Sequence, residues 1–155
     1  MVRPAIHSGA MAQHTPVLTA LARIEDAQAA LATTLRAAKP SRLRARPPSG
    51  EWSPLENVRH LIFAEQHHFA PFLERGFRWS TAGVPPPNRT GERRLSPIGS
   101  DPATTVDEVF EAWTKVHAVV RALSINDPDH LTPKLEGNLR HLELHSKAMH
   151  ELLRG

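Results

Sequence analysis

Apolar residues recur at intervals of three and four along several stretches of this sequence, and that spacing is typical of α-helices. In the first stretch the recurring residues are Val17, Leu21, Ile24, Ala27, Leu31 and Leu35. A helix repeats every 3.6 residues, so these side chains share one face that can be buried against neighbouring helices. No stretch shows the alternation of apolar and polar residues that a half-buried strand requires. The sequence therefore predicts an all-α protein.

A second helix is predicted to begin at Ser53 or Pro54. Ser53 can cap it, Pro54 suits the first helical position, and Glu56 can complete a capping box with the Ser53 backbone. Its apolar face is expected to continue until Gly76 ends the helix, with a kink at Pro71.

Two further helices are predicted nearer the C-terminus. Thr104 or Thr105 can cap helix three, and helix four is expected to run from about Glu136 to Leu153. The apolar residues of helix three again step by three and four: Val106, Val109, Trp113, Val116, Val120 and Leu123. The expected architecture is a four-helix bundle.

Proline and glycine interrupt the helical pattern in two places. Residues 38–50 hold three prolines and a glycine, and residues 76–103 hold five prolines and four glycines. Both segments are predicted to be loops, because proline lacks a backbone donor and restricts the residue before it. A connection as long as 76–103 is usually functional or disordered. We expect this long loop between helices two and three to cross an end of the bundle and to cover a site as a partly mobile segment.

The length of 155 residues suits one domain with its own core. We assign residues 14–155 to that domain and expect residues 1–13 to form a flexible N-terminal segment. The sequence has no cysteine, which excludes disulfides and thiolate metal sites. Histidine and carboxylate remain as the strong metal ligands.

The hydropathy of the sequence argues against a membrane segment, and its charge pattern argues against nucleic-acid binding. No apolar run approaches the roughly twenty residues that span a bilayer, and the N-terminus lacks the apolar centre of a secretory signal. We therefore expect a cytoplasmic protein with no membrane segment. The net charge is +3, but the arginines gather in the proline-flanked segments 41–48 and 88–94, where solvated loop charge is the simpler interpretation. The charge pattern therefore does not favour a nucleic-acid partner.

Among the ten histidines, His141 and His145 are spaced by four on predicted helix four. At about 100° per residue their rings can converge on one point, as histidine pairs that bind divalent metals do. The alternative is a solvated or hydrogen-bonded helix flank. His60 can supply a third ligand from helix two, although it lies opposite the apolar face of that helix. Either its row of residues faces solvent, or helix two is covered on both sides and the row lines a polar pocket.

The segment GEWSPLENVRHLIFAEQ at residues 50–66 precedes a long loop, a third helix and a histidine-bearing last helix. This order resembles the DinB/YfiT-like superfamily of small four-helix metalloenzymes. The resemblance implies that His60 and two histidines four apart on the last helix hold one divalent metal, and His141 and His145 match that spacing. The last helix can also be aligned with the family so that His145 is the first residue of the pair and Met149 stands at the position of the second histidine. That alignment predicts a weaker metal site, because a thioether binds well only to soft ions. We prefer the alignment that keeps three imidazoles.

Three neutral imidazoles leave a coordination position open, and a metal there can lower the pKa of a bound water or thiol. The resemblance implies an enzyme that uses a divalent metal on a small-molecule substrate, with a transferase that uses a low-molecular-weight thiol as one example. We expect Zn²⁺ or Ni²⁺ as the metal, and a hydrolase is the other reaction type that we consider. Glu56 is the candidate catalytic residue, as a base or by orienting His60. The alternative is that Glu56 only completes the capping box.

Two other functions stay open from the sequence. A metal-free helical bundle could bind a small ligand or serve as a dimerisation module, and a homodimer is one expected assembly. A basic nucleic-acid accessory protein is the remaining class, which would require binding that falls with salt.

Overall fold

The computed structural model describes residues 7–84 and 105–154, with side chains described from residue 15. Five helices and one 3₁₀ turn make up its elements: α1 (His7–Ala37), α2 (Pro40–Arg44), α3 (Pro54–Phe69), the 3₁₀ turn (Ala70–Phe72), α4 (Val106–Asn126) and α5 (Pro128–Arg154). No strand occurs within these two ranges, and the predicted all-α class is confirmed.

The four long helices form a bundle in which α1 and α3 each pack against both α4 and α5. The short α2 packs against α3. Of the six residues predicted for the apolar face of α1, five are at most 1% exposed, and Ala27 is partly buried. Burying an aliphatic side chain of this size contributes about 1.5–3 kcal/mol, so this face is a major source of stability.

Helix α1 begins at His7, ahead of the domain boundary predicted at residue 14. That boundary therefore falls inside a helix, while the flexibility of residues 1–13 stays a prediction. Within the described ranges, no helix is both long and apolar enough to cross a membrane.

Helix α3 begins as predicted and ends earlier. Ser53 Oγ accepts a hydrogen bond from the Glu56 backbone at 3.2 Å, and the Ser53 backbone donates to Glu56 Oε1 at 3.3 Å, which completes the capping box. The helix ends at Phe69 instead of continuing to Gly76. Pro71 cannot donate to the helical ladder and clashes with it, so the chain tightens into the 3₁₀ turn at this point.

Helix α5 begins at Pro128, well before the predicted start near Glu136. Pro128 stands in the first turn, where its missing N–H has no partner to lose. Pro133 lies inside the helix and removes one backbone hydrogen bond. Leu131 and Leu135 flank it at 1% and 0% exposure, so burial in the core offsets that loss.

The proline-rich segment 38–50, predicted to be a loop, contains α2. Pro40 occupies its first turn, which suits proline. Leu43 is buried in the core and anchors the segment. This anchoring places the following residues, Arg46 among them, beside the start of α3.

Residues 77–84, here called the return segment, run back along α3 towards its N-terminus. The Ser80 backbone donates to Gln66 Oε1 at 2.7 Å, and Arg59 Nε donates to the Ala82 carbonyl at 2.8 Å. The Val84 backbone then donates to the Arg59 carbonyl at 3.1 Å. The rest of the predicted long loop, residues 85–103, lies outside the described residues.

Gly83 allows the return segment to approach α3 closely. A Cβ atom at Gly83 would lie 3.2 Å from both Cα and N of Phe63, which is tighter than most real contacts. Because the opposing atoms are helix backbone, they have little freedom to move away. Glycine therefore permits the observed distance between the segment and the helix.

Candidate metal centre

His60 on α3 and the pair His141 and His145 on α5 converge on one space between the two helices. Each ring offers one nitrogen, and these three atoms lie within 4.8 Å of one another. Nε2 of His141 lies 3.0 Å from Nε2 of His145. The ring centroid of His60 lies 5.3 Å from that of His141 and 5.1 Å from that of His145. The structure brings together the three histidines that the sequence singled out.

The row of α3 that carries His60 is covered by other parts of the chain. His60 is 8% exposed and Glu56 is 6% exposed. Trp52 packs against His60 with ring centroids 4.4 Å apart, and the return segment reaches the same ring through Val84. Helix α3 is therefore buried on both faces, and of the two alternatives from the sequence the polar pocket is the one observed.

Hydrogen bonds orient two of the three rings. Nδ1 of His60 lies 3.3 Å from the Val84 carbonyl, and Nδ1 of His145 lies 2.8 Å from Oδ1 of Asn57. Both oxygens only accept, so both Nδ1 atoms carry the hydrogen and both Nε2 atoms keep a lone pair. A metal-binding histidine is normally held in this way by a hydrogen bond from its other nitrogen.

The electrostatic environment keeps the three rings neutral. Burial lowers the pKa of His60 to about 4, with smaller lowering by His141 and His68. Burial, followed by the charges of its two histidine neighbours, also lowers the pKa of His145 to about 4. The pKa of His141 is lowered by burial and by His68. Neutral imidazole is the form that binds metal, so the rings are in the binding form at pH 7.

His141 carries an unpaired polar atom. Its Nδ1 is buried and has no hydrogen-bond partner among the residues that the structure describes. Its Nε2 faces Nε2 of His145, and two lone pairs at 3.0 Å repel unless a proton or a cation lies between them. Since Nδ1 of His145 already holds that ring's hydrogen, the remaining proton must come from His141 or be replaced by a metal ion.

A cavity of about 600 Å³ opens beside His145. Trp52 and Leu144 contribute apolar surface to its wall, and Glu51 and Glu151 contribute two carboxylates. The volume is in the usual range for small-molecule sites. A ligand in this cavity would reach one of the three histidines directly.

Glu56 makes contacts that match the capping-box alternative. Its Oε1 accepts from Arg46 Nε at 3.0 Å and from the Ser53 backbone at 3.3 Å, and its Oε2 accepts from Arg46 Nη2 at 2.8 Å. A carboxylate bound by a guanidinium in this bidentate manner is held in a fixed position. The catalytic role of Glu56 stays a prediction.

Met149 does not take part in the cluster. Its side chain is 0% exposed and belongs to the hydrophobic core. The alternative alignment, in which Met149 would be the partner of His145, therefore finds no support in the geometry of α5. The described contacts agree with the pair His141 and His145.

Several residues around the centre were not singled out by the sequence. Asn57 and the Val84 carbonyl orient two rings, and His68 lies beside His141 with ring centroids 5.9 Å apart. A hydrogen bond to Asn138 partly offsets the burial that lowers the pKa of His68. The sequence indicates a role for Asn57 only through its position three residues before His60. The role of the Val84 carbonyl cannot be predicted from the sequence, because every residue has a backbone carbonyl.

A second polar cluster, here called the Glu65 network, crosses the bundle core. Oε1 of Glu65 accepts from Nδ1 of His117 at 2.8 Å and from Asn138 at 3.4 Å, and Oε2 accepts from Trp113 at 2.9 Å. Nε2 of His117 donates to Glu25 at 3.3 Å. Burial lowers the pKa of His117, but the hydrogen bonds and charges of Glu65 and Glu25 outweigh burial and leave it raised. Both ring nitrogens face carboxylates, so this histidine is suited to carry a charge.

The fold and the site together define an all-helical domain with a three-imidazole cluster that could hold a metal ion. Residues 23–146 match the DinB superfamily, and this match covers most of the chain. The chain belongs to that superfamily. No curated protein and no solved structure matches the chain significantly.

Proposed function

We propose that this protein is an enzyme that depends on a divalent metal ion held by His60, His141 and His145. The observation that carries the proposal is the convergence of three ring nitrogens within 4.8 Å, next to a cavity. Imidazole nitrogen suits Zn²⁺ and Ni²⁺ among the divalent metals. Zn–N bonds of about 2.0–2.1 Å are compatible with the 3.0 Å between the Nε2 atoms of His141 and His145.

The donor set fits such an ion in two respects. The lowered pKa values leave the rings neutral. The hydrogen bonds at Nδ1 leave the lone pair on Nε2 in His60 and in His145, and Nε2 of His145 faces Nε2 of His141. When bound, a divalent ion with three protein ligands supplies a Lewis acid that lowers the pKa of a coordinated water or thiol.

The residues of the chain bind and orient the reactants in this proposal. Trp52 packs on His60 and keeps water from that side of the ring. The cavity beside His145 holds the small-molecule substrate, with Trp52 and Leu144 against its apolar part. The chain has no cysteine, so a reaction at sulfur must use a thiol from outside. We propose a transferase with a low-molecular-weight thiol as cosubstrate, and a hydrolase as the second reaction of the same class.

Metal content tests the site. Wild-type protein purified without a nickel column should contain stoichiometric divalent metal by elemental analysis, and His145→Ala should lose it. His141→Ala should also lose the metal, whereas Met149→Leu should keep it. His130→Ala is the matched control, because His130 lies on α5 but is exposed and bonds only Asp127 among the described residues.

Thermal stability gives a second measurement. Metal at one hundred times its Kd should stabilise the fold by about 2.7 kcal/mol. For a domain of this size that corresponds to a rise in Tm of roughly 5–11 °C. The consumption of a low-molecular-weight thiol with an electrophile should then require metal and fail in His145→Ala.

Negative results would identify a different class of protein. No stoichiometric metal, together with no shift in Tm from Zn²⁺, Ni²⁺, Mn²⁺ or Fe²⁺, would contradict the enzyme proposal. The chain would then be a metal-free bundle that binds a small ligand or serves as a dimerisation module.

A further inference from the structure

We propose that Asn57 is a positioning residue of the histidine centre, whose side-chain carbonyl fixes His145 in the tautomer that presents Nε2. The proposal rests on the proposed metal site. Its central claim concerns the hydrogen on His145, which can be observed in the metal-free protein.

The amide of Asn57 has one possible orientation. Asn57 is 6% exposed and lies in the first turn of α3. Its Nδ2 lies 3.3 Å from the Trp52 carbonyl and 3.0 Å from the Ser53 carbonyl. Carbonyl oxygens only accept, so the NH₂ group must face them. The reversed amide would bury three oxygens against one another without a donor.

This orientation decides the chemistry of His145. With the NH₂ group directed at the two backbone carbonyls, Oδ1 is the atom that lies 2.8 Å from Nδ1 of His145. Oδ1 cannot donate, so Nδ1 must carry the hydrogen. In a neutral ring the lone pair is then on Nε2, the atom that lies 3.0 Å from Nε2 of His141.

Asn57 differs from the group that orients His60. His60 depends on the backbone carbonyl of Val84, which no substitution removes directly. His145 depends on a side chain that can be replaced. A substitution of Asn57 can therefore remove the hydrogen bond of His145 while His60 keeps its bond to the Val84 carbonyl.

Two substitutions separate positioning from structure. Asn57→Leu removes the acceptor for His145 and the donors to Trp52 and Ser53. Asn57→Asp restores an acceptor but not the two donors. Both variants lose the same backbone hydrogen bonds, and only the leucine variant leaves Nδ1 of His145 without a partner.

Gln66→Leu is the matched control. Gln66 is an amide on the same helix, is 1% exposed, and bonds the Ser80 backbone and the Ile62 carbonyl. Its replacement removes buried hydrogen bonds at a similar cost in stability, but none of them reaches His145. The tautomer of His145 should therefore be unchanged.

The measurement is ¹⁵N nuclear magnetic resonance of the imidazole nitrogens in metal-free, folded protein near neutral pH. Wild type, Asn57→Asp and Gln66→Leu should show His145 with hydrogen on Nδ1, whereas Asn57→Leu should show a mixture or hydrogen on Nε2. Zn²⁺ affinity, measured against a competing chelator, should fall by about 10–100-fold in Asn57→Leu and recover in Asn57→Asp.

Hydrogen on Nε2 of His145 in the wild type, or an unchanged tautomer in Asn57→Leu, would overturn the proposal. If circular dichroism shows that the leucine variant is unfolded, the aspartate variant decides: hydrogen on Nδ1 supports the proposal and hydrogen on Nε2 overturns it. If the tautomers behave as expected but no variant binds metal, the proposed function fails and the fixing of His145 by Asn57 stands.

Discussion

Replacing Glu65 by glutamine should destabilise the protein by about 3–5 kcal/mol, the range for breaking a buried charge pair. Glu65 is 0% exposed, and its two oxygens accept from His117, Asn138 and Trp113. Glutamine has nearly the same size, so no cavity forms. The glutamine side chain has one acceptor oxygen and one NH₂ group, whereas glutamate has two acceptor oxygens. The NH₂ group must therefore face one of the groups that donate to Glu65, and two donors cannot bond each other.

The magnitude follows from two separate losses. If Oε1 of the glutamine keeps His117 and Asn138, the indole N–H of Trp113 is left unpaired, and a buried unpaired donor costs about 1–3 kcal/mol. The hydrogen bond to His117 also loses its charge, and such charged hydrogen bonds contribute about 1.5–3 kcal/mol. The sum is a large part of the 5–15 kcal/mol that stabilises a typical domain.

Urea unfolding followed by tryptophan fluorescence and circular dichroism measures this loss. Glu25→Gln is the matched control, because the Glu25 side chain is 38% exposed and its pairing should contribute about 1 kcal/mol or less. Adding Trp113→Phe to Glu65→Gln removes the unpaired donor and should show coupling of about 1 kcal/mol. A cost for Glu65→Gln no greater than for Glu25→Gln would refute the reasoning.

Two predictions concern pH and have opposite signs. The carboxylates of Glu65 and Glu25 outweigh burial and raise the pKa of His117. The charged ring therefore stabilises the fold fully at pH values below the unfolded-state pKa of about 6.5. This stabilisation is lost as pH rises through the folded-state pKa. Urea midpoints should therefore fall as pH rises above about 6.5. The fall should be smaller in Glu65→Gln, and an equal fall in that variant would contradict the assignment. Burial lowers the pKa of His60 and His145 to about 4, so the unfolded chain binds more protons and metal-free stability should fall from about pH 6.5 towards pH 4. His60→Gln should make this fall in stability at acid pH smaller. If the stability of the metal-free wild type does not change in this pH range, the histidine rings are not held neutral in the folded protein.

The features that the sequence predicted well depend on local spacing. The three-and-four pattern from Val17 to Leu35 specifies one face of a helix whatever lies opposite it. The capping box of Ser53 and Glu56 involves residues three apart, and the pair His141 and His145 needs only the helix that carries it.

The features that escaped prediction depend on tertiary neighbours. Pro133 is tolerated inside α5 because Leu131 and Leu135 are buried, which no local rule foresees. The burial of His60 depends on the return segment, which is distant in sequence. The role of Asn57 depends on a ring from α5, so a pattern along α3 cannot contain it.

Gly83 gives the return segment an influence over His60 on the helix that it covers. A Cβ atom at this position would lie 3.2 Å from the backbone of Phe63, so a larger residue requires a small shift next to the Val84 carbonyl that orients His60. If the shift breaks that hydrogen bond, His60 can rotate or exchange tautomers, although no histidine of the cluster has been altered. The three histidines could thus remain identical in two proteins of this kind while a loop residue that contacts none of them changes how the proposed metal site is held.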